Sequence, residues 1–138
     1  MTRMKTSITY HEAQEFILKQ FNLKPNLSMV DDRTMRVLYD PGFLLPNVSV
    51  DVHIEAIQGN MVLLTYKCDR RSVELIVEGA VALLGERISP KFMKIDTATR
   101  SVQVFVDEID QMKELLKYVI VQDAYFESDW INVNLLMK

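Results

Sequence analysis

Alternation of apolar and polar residues is the clearest pattern in the chain. Every second residue from 48 to 55 is apolar, and after a turn at 58–60 the chain returns through residues 61–68. Such alternation is typical of strands with one buried face and predicts an antiparallel hairpin. A register that slipped by one residue would place Thr65 and Lys67 against the valines, so we expect the apolar positions to pair. The expected pairs are Val50 with Cys68, Val52 with Tyr66, and Ile54 with Leu64.

Other segments show the same period of two, bounded by turn residues. They are residues 27–39 with a hairpin turn at 31–33, residues 92–106 with a polar turn at 96–100, and residues 131–135 after a turn at 128–129.

Three stretches show the three-to-four-residue spacing of a helix with one buried face. Thr9 and Glu12 have the spacing of a capping box, which predicts a first helix over residues 10–21. A second helix is predicted over residues 72–88 and ends before Pro90. A third is predicted to begin near Asp107 or Asp110 and to carry Ile109, Met112, Leu115, Leu116, Val119 and Ile120 on one side.

These elements predict an α+β fold: a curved antiparallel β-sheet made of hairpins, packed on two or three amphipathic helices. Residues 1–8 are predicted to be a flexible N-terminus, and residues 9–138 a single domain. Single helices do not separate single strands, so a parallel sheet is not expected.

Composition and charge exclude several functions. The chain has a net charge of −3 and scattered basic residues, so no nucleic-acid-binding surface is expected. Its four glycines, at positions 42, 59, 79 and 85, fit neither the dinucleotide-binding nor the P-loop motif, and no cofactor is expected. The apolar run 79–85 is far shorter than the roughly 20 residues of a membrane span. With a lone Cys68 and no leader-like start, we expect a cytoplasmic protein.

One row of side chains has the composition of a metal site. Asp51, His53 and Glu55 project from the same face of a predicted strand, and these residue types bind divalent cations. The same polar residues are also typical of the solvent-facing side of an antiparallel strand. We expect the second interpretation, and therefore a protein that is not an enzyme, with a metal-dependent activity as the alternative. Cys68 is expected on the apolar face, where a thiol is unreactive.

The amphipathic elements and eight methionines give the chain a large apolar capacity. Methionine packs adaptably in cores and in binding sites for apolar ligands. Three uses remain open: a plain core, a ligand cavity, or a contact between two protomers. Trp130 and Tyr125, beside the last turn, are candidate aromatic anchors for such a contact.

The order of a long hairpin over residues 48–68, a long helix over 72–88, a second hairpin and a third helix resembles the tubular lipid-binding superfamily, in particular its small single-module bacterial members. The closing residues 109–135 have a similar pattern. The resemblance implies a curved sheet that wraps a long helix, with an apolar ligand between them. It implies a ligand wall on the sheet facing three positions of the helix: Val50, Val52, Ile54, Leu64 and Tyr66, opposite Val77, Ala80 and Leu84.

We therefore expect a non-catalytic module that holds an apolar, lipid-like ligand or partner between sheet and helices. The alternative is a homodimeric interaction or scaffold domain, in which the surplus apolar surface forms the contact between protomers.

Overall fold

A computed structural model describes residues 3–21, 24–40, 47–68, 93–108 and 110–138. The elements, in chain order, are β1 (Arg3–Thr9), α1 (Tyr10–Phe21), β2 (Asn26–Asp31), β3 (Thr34–Tyr39), β4 (Val48–Gln58), β5 (Met61–Cys68), β6 (Met93–Asp96), β7 (Ser101–Phe105), α2 (Asp110–Lys113), β8 (Val119–Phe126) and β9 (Trp130–Met137). Short 3-10 turns at Val106–Glu108 and Leu115–Lys117 flank α2. The helix predicted over residues 72–88 lies outside the described residues.

The described strands form two antiparallel sheets. One has three strands in the order β1-β9-β8, and the other has six in the order β2-β3-β4-β5-β7-β6. The predicted fold class, a sheet packed on two or three helices, is therefore wrong. The described part of the chain is mostly sheet, and α1 is its one helix of more than a single turn. The prediction of antiparallel hairpins is confirmed.

The third predicted helix is the main error. Only Asp110–Lys113 are α-helical, and Val119–Phe126 form strand β8 paired with β9. Three of the residues that suggested a helix do share a core, since Met112 packs against the buried cluster that contains Leu116 and Val119. A short turn followed by a strand can bring residues with the three-to-four-residue spacing to one side, just as a helix can. The β-branched residues at the start of β8 favour the strand.

The predicted register of the β4–β5 hairpin is confirmed. Its expected pairs all occur: Val50 with Cys68, Val52 with Tyr66, and Ile54 with Leu64. Beyond them Glu55 forms a β-bulge, and Ala56 pairs with Leu63. The extra residue returns Ile57 to the same face as Ile54, although the two are three positions apart.

A second bulge lies in β8 and serves the same purpose. Val121 pairs with Leu135 and Asp123 with Asn134, which leaves Gln122 as the extra residue. Ala124 is thereby placed on the apolar face that Val121 occupies one bulge earlier. In both strands the apolar residues are at one point three positions apart instead of two, and the extra residue of the bulge returns them to the same face.

The two sheets pack their apolar faces together. Phe126 of β8 and Tyr10 of α1 join Met35 and Ile54 of the larger sheet in one buried cluster. A second contact lies at the other end of β8, where the chain that leaves β7 covers the smaller sheet. There Leu116 packs on Val119, Val121 and Leu135.

The N-terminal residues are part of the smaller sheet. Residues 1–8 were expected to be flexible, whereas Arg3–Thr9 form β1 and pair with β9 along their whole length. The alternation in this segment consists of Met4, Thr6 and Ile8, which is too weak to identify a strand. The capping box that follows is confirmed, because the backbone N–H of Glu12 donates to Thr9 Oγ1 at 3.0 Å and Thr9 N–H donates to Glu12 Oε1 at 3.0 Å.

Candidate functional site

The predicted apolar ligand wall lies on one face of β4 and β5, but the structure divides it into two parts. Ile54 and Leu64 belong to the core between the two sheets. Val50, Val52 and Tyr66 belong to a separate group, which we call the second apolar cluster. That cluster consists of Val48, Val50, Val52, Tyr66, Cys68 and Val102.

This division changes where a ligand can lie. On this apolar face Ile54 lies in a buried cluster with Phe126 of the smaller sheet, and Leu64 packs against that cluster, so this part of the predicted wall is already covered by protein. The predicted helical side of the wall, at Val77, Ala80 and Leu84, lies outside the described residues. Of the predicted ligand wall, only the residues of the second apolar cluster therefore remain as a candidate site for an apolar ligand.

The row of Asp51, His53 and Glu55 is present, but each side chain has its own partner. Arg36 donates to both carboxylate oxygens of Asp51, at 2.9 and 3.2 Å. Nδ1 of His53 and Oγ1 of Thr34 lie 2.8 Å apart. Within the described ranges no group of three or more His, Cys, Asp or Glu side chains is arranged to hold a metal ion.

A cleft lies where the two sheets meet. β3 begins at Thr34, opposite His53, so the part of β4 that follows His53 has no partner in β3 and lies beside the bulged part of β8. The space between them has a volume of about 480 Å³, within the range of about 300 to 1,000 Å³ that is usual for small-molecule sites. Its lining residues are Arg33, His53, Ile54, Glu55, Ala56, Ile57, Gln122 and Asp123. Both bulges, at Glu55 and Gln122, therefore line the same cleft.

An arginine on the lining of this cleft connects the two sheets. The guanidinium of Arg33 donates to Oδ1 and Oδ2 of Asp123 at 2.6 and 3.0 Å, and to the backbone oxygen of Ala124 at 2.7 Å. Its hydrogen bonds hold the pKa of Asp123 below the ordinary value, and Asp123 in turn raises the pKa of Arg33. The pair is ionised and electrically neutral as a unit.

Three polar groups of the cleft lack hydrogen-bond partners among the described residues. They are Nε2 of His53, the amide of Gln122, and Oε2 of Glu55, whose other oxygen accepts from Thr65 at 2.9 Å. Because Arg33 and Asp123 neutralise each other, Glu55 carries the remaining charge. The cleft thus offers one carboxylate, one imidazole nitrogen and one amide to a ligand.

The sequence predicted only part of this site. His53 and Glu55 were candidates for a metal site, and Ile54 for an apolar wall, whereas Arg33, Gln122 and Asp123 were not identified. One available signal is the pair Gln122-Asp123, which interrupts an otherwise apolar strand. Two polar residues within such a run indicate a bulge, and bulges are common beside binding and active sites.

The other candidates have ordinary surroundings. Cys68 lies half-buried on the apolar face, as predicted. Tyr125 is half-buried, and the ammonium of Lys5 lies 5.6 Å from its ring centre. Trp130 is 44% exposed and lies opposite Thr9 in the sheet.

No described helix combines the length and apolar character that crossing a membrane requires. No protein-family model, curated protein or solved structure matches this chain. The resemblance to the tubular lipid-binding superfamily therefore stays a prediction.

Proposed function

We propose that this protein is a non-catalytic binding domain whose site is the cleft between β4 and β8. The observation that carries the proposal is the meeting of two bulges at one cleft of small-molecule size. Bulges break regular pairing and re-aim side chains, so two of them at one place produce polar groups that the sheets do not use.

The chemistry of the lining favours a small polar ligand that carries a positively charged amine. Glu55 supplies a carboxylate that no cation of the described residues neutralises. His53 Nε2 and the Gln122 amide supply further hydrogen bonds. A charge-assisted hydrogen bond from an ammonium to Glu55 is the strongest single contact that the cleft offers.

The test is a two-dimensional NMR titration of nitrogen-labelled protein with cadaverine and with the corresponding diol. The two probes share a carbon chain and differ only in ammonium against hydroxyl groups. We expect cadaverine to cause saturable shifts of backbone amides around Glu55 and Gln122, and the diol to cause none. Added salt should weaken the binding of cadaverine.

A matched pair of variants assigns the effect to the cleft. Glu55→Gln removes the charge and keeps the shape, so it should abolish the saturable shifts. Glu114→Gln changes an exposed carboxylate outside the cleft and should leave them intact. Equal shifts with the diol, or undiminished shifts in Glu55→Gln, would refute the proposed recognition of an amine.

A second candidate function is the binding of an apolar, lipid-like ligand, and the second apolar cluster favours it. Its six side chains are separate from the core between the sheets, although they share a face with it. Native mass spectrometry of freshly purified protein, with organic extraction of a parallel sample, tests this function. We expect a co-purifying species with a mass on the order of a few hundred daltons, as for a fatty acid. A spectrum that shows only the mass of the protein chain would count against this function.

The location of such a ligand can be tested with two equivalent substitutions. Val50→Thr places a hydroxyl in the second apolar cluster, whereas Val62→Thr places one beside the core between the sheets, at the far end of the β4–β5 hairpin. If the ligand lies where we propose, only Val50→Thr should weaken the binding of a fluorescent fatty acid. Equal effects of both substitutions would indicate a general loss of stability.

A further inference from the structure

The two outer strands of the three-stranded sheet differ in how their edges are protected. Exposed strand edges tend to pair with other chains, and proteins usually block them with bulges, charges or covering segments. β8 carries such protection. It is bulged at Gln122, Arg33 bonds to its Ala124 carbonyl, and the backbone N–H of Phe126 donates to the carbonyl of Asp32 at 2.8 Å.

For β1, at the opposite edge, the described residues show no bulge and no covering segment. It is seven residues long, contains no bulge or proline, and has β9 on one side and no described strand on the other. Lys5 is its one inner charged residue, and it is drawn over the sheet's outer face towards Tyr125 and Glu127. Among the described residues this edge is therefore regular, and its inner charge lies towards Tyr125 and Glu127 on the outer face of the sheet.

Apolar side chains mark the same edge. Met4 and Ile8 lie opposite Leu135 and Ile131 of β9, on the face that packs against the larger sheet. They are nevertheless 37% and 41% exposed, whereas Leu135 in the central strand is buried. The apolar face of the sheet thus extends beyond its cover at β1.

The sequence of β1 is complementary to itself. Two copies of one strand can pair antiparallel about a two-fold axis perpendicular to the sheet. With the axis beside Thr6 all seven residues pair, Met4 lies opposite the partner's Ile8, and Lys5 lies opposite the partner's Ser7. Apolar side chains then meet on the core side, and the threonines meet at the centre, which is a favourable cross-strand pair.

Neighbouring registers are less favourable. An axis beside Lys5 would place two ammonium groups opposite each other, which is destabilising. An axis beside Ser7 would place Ile8 opposite the partner's Thr6 and leave Met4 without a partner. The side chains therefore select the register centred on Thr6.

We propose that two copies of this chain associate through β1, pairing antiparallel about Thr6 to form a continuous six-stranded sheet. The interface is small, because it consists of one strand pair and the apolar contacts beside it. Weak, concentration-dependent association is the expected behaviour of such an interface.

Sedimentation equilibrium over a range from micromolar to millimolar protein tests this association. We expect the mean mass to rise towards twice the chain mass. Met4→Lys and Ile8→Glu should each weaken the association roughly tenfold. Combined in one chain, the two substitutions place opposite charges across the axis and should restore it. Met137→Lys, at an equally exposed methionine of β9, should have no effect.

Cross-linking tests the register without introducing charges. Thr6→Cys places two thiols directly across the axis, so mild oxidation should produce a covalent dimer. Ser7→Cys places each thiol opposite the partner's Lys5 and should cross-link far more slowly. The parent chain, with Cys68 alone, provides the baseline.

Each outcome is decisive. A chain that stays monomeric at all concentrations overturns the proposal, and circular dichroism of each variant separates loss of association from loss of folding. A dimer that ignores both single substitutions, or that cross-links equally at Ser7→Cys and Thr6→Cys, uses another surface and also overturns it. Rescue by the double substitution together with selective cross-linking at Thr6→Cys establishes it.

Discussion

Arg33 and Asp123 form a bidentate ion pair that joins the two sheets, with N–O distances of 2.6 and 3.0 Å. Arg33 lies in the turn between β2 and β3 of the larger sheet, and Asp123 lies at the bulge of β8 in the smaller one. The backbone hydrogen bond from Phe126 N–H to the carbonyl of Asp32 joins the same turn to the same strand. The polar rim of the cleft is therefore also a connection between the sheets.

Arg33→Met should lower the free energy of unfolding by about 1 kcal/mol. Both side chains of the pair are 37% exposed, so water weakens the ionic attraction and a larger loss is not expected. The lost hydrogen bond to the carbonyl of Ala124 adds to the effect. Urea unfolding followed by circular dichroism measures the change.

A double-mutant cycle with Asp123→Asn isolates the pair from other consequences of each substitution. The coupling free energy should be favourable and below the effect of Arg33→Met alone, since the bond to Ala124 lies outside the cycle. A coupling of zero would mean that the ion pair does not stabilise the junction of the sheets.

The contribution of this pair should depend on pH in the acidic range. In the folded protein the hydrogen bonds from Arg33 hold the pKa of Asp123 below the ordinary value of 3.8. The stabilisation is therefore complete above 3.8 and is lost as the pH falls through the lower, folded-state value. The stability difference between the parent chain and Asp123→Asn should be constant near neutral pH and shrink below about pH 3.8. A difference that disappears well above that pH would contradict this assignment.

Asn132→Ala should be among the most destabilising changes in the smaller sheet. Asn132 is 1% exposed, accepts a hydrogen bond from Ser7 Oγ, and donates to Glu127 Oε1 at 2.7 Å. Removing the amide deletes both hydrogen bonds, at a cost of about 1 to 3 kcal/mol for the two together. Asn134→Ala is the matched control, since Asn134 makes no side-chain hydrogen bond to the described residues. Chemical denaturation of both variants should separate them clearly.

Thr9→Ala should destabilise the protein by about 1 kcal/mol, because it removes the cap of α1. Thr9→Ser keeps the hydroxyl and should restore most of the loss. Thr97→Ala, in the exposed turn between β6 and β7, is a control for threonine removal as such. Equal melting temperatures of Thr9→Ala and the parent chain would show that the cap contributes nothing measurable.

Local patterns were sufficient where the physics was local. The capping box at Thr9 and Glu12 fixed the start of α1, and strict alternation fixed the pairing of Val50 with Cys68. In both cases the interacting groups lie within one helical turn or one hairpin. Nearby sequence therefore contained the whole cause.

The same patterns failed where two structures satisfied one spacing. Met112, Leu116 and Val119 fit a helical face, yet they share a core through a short turn followed by β8. Pairing of Val119–Phe126 with β9 decided between these structures, and the β-branched residues at the start of the segment favour a strand over a helix. Similarly, β1 exists because β9 lies beside it, and its own alternation is too weak to predict it.

The sequence by itself determined the antiparallel hairpins, the first helix and the apolar face of β4 and β5, since these follow from residue periodicity and turn chemistry. Only the tertiary structure decided that a second sheet covers Ile54 and Leu64, and that Arg33 meets Asp123 across 90 positions of the chain. The physical reason is that periodicity records which face of an element is buried. It does not record which element buries it, and the cleft lies at that junction.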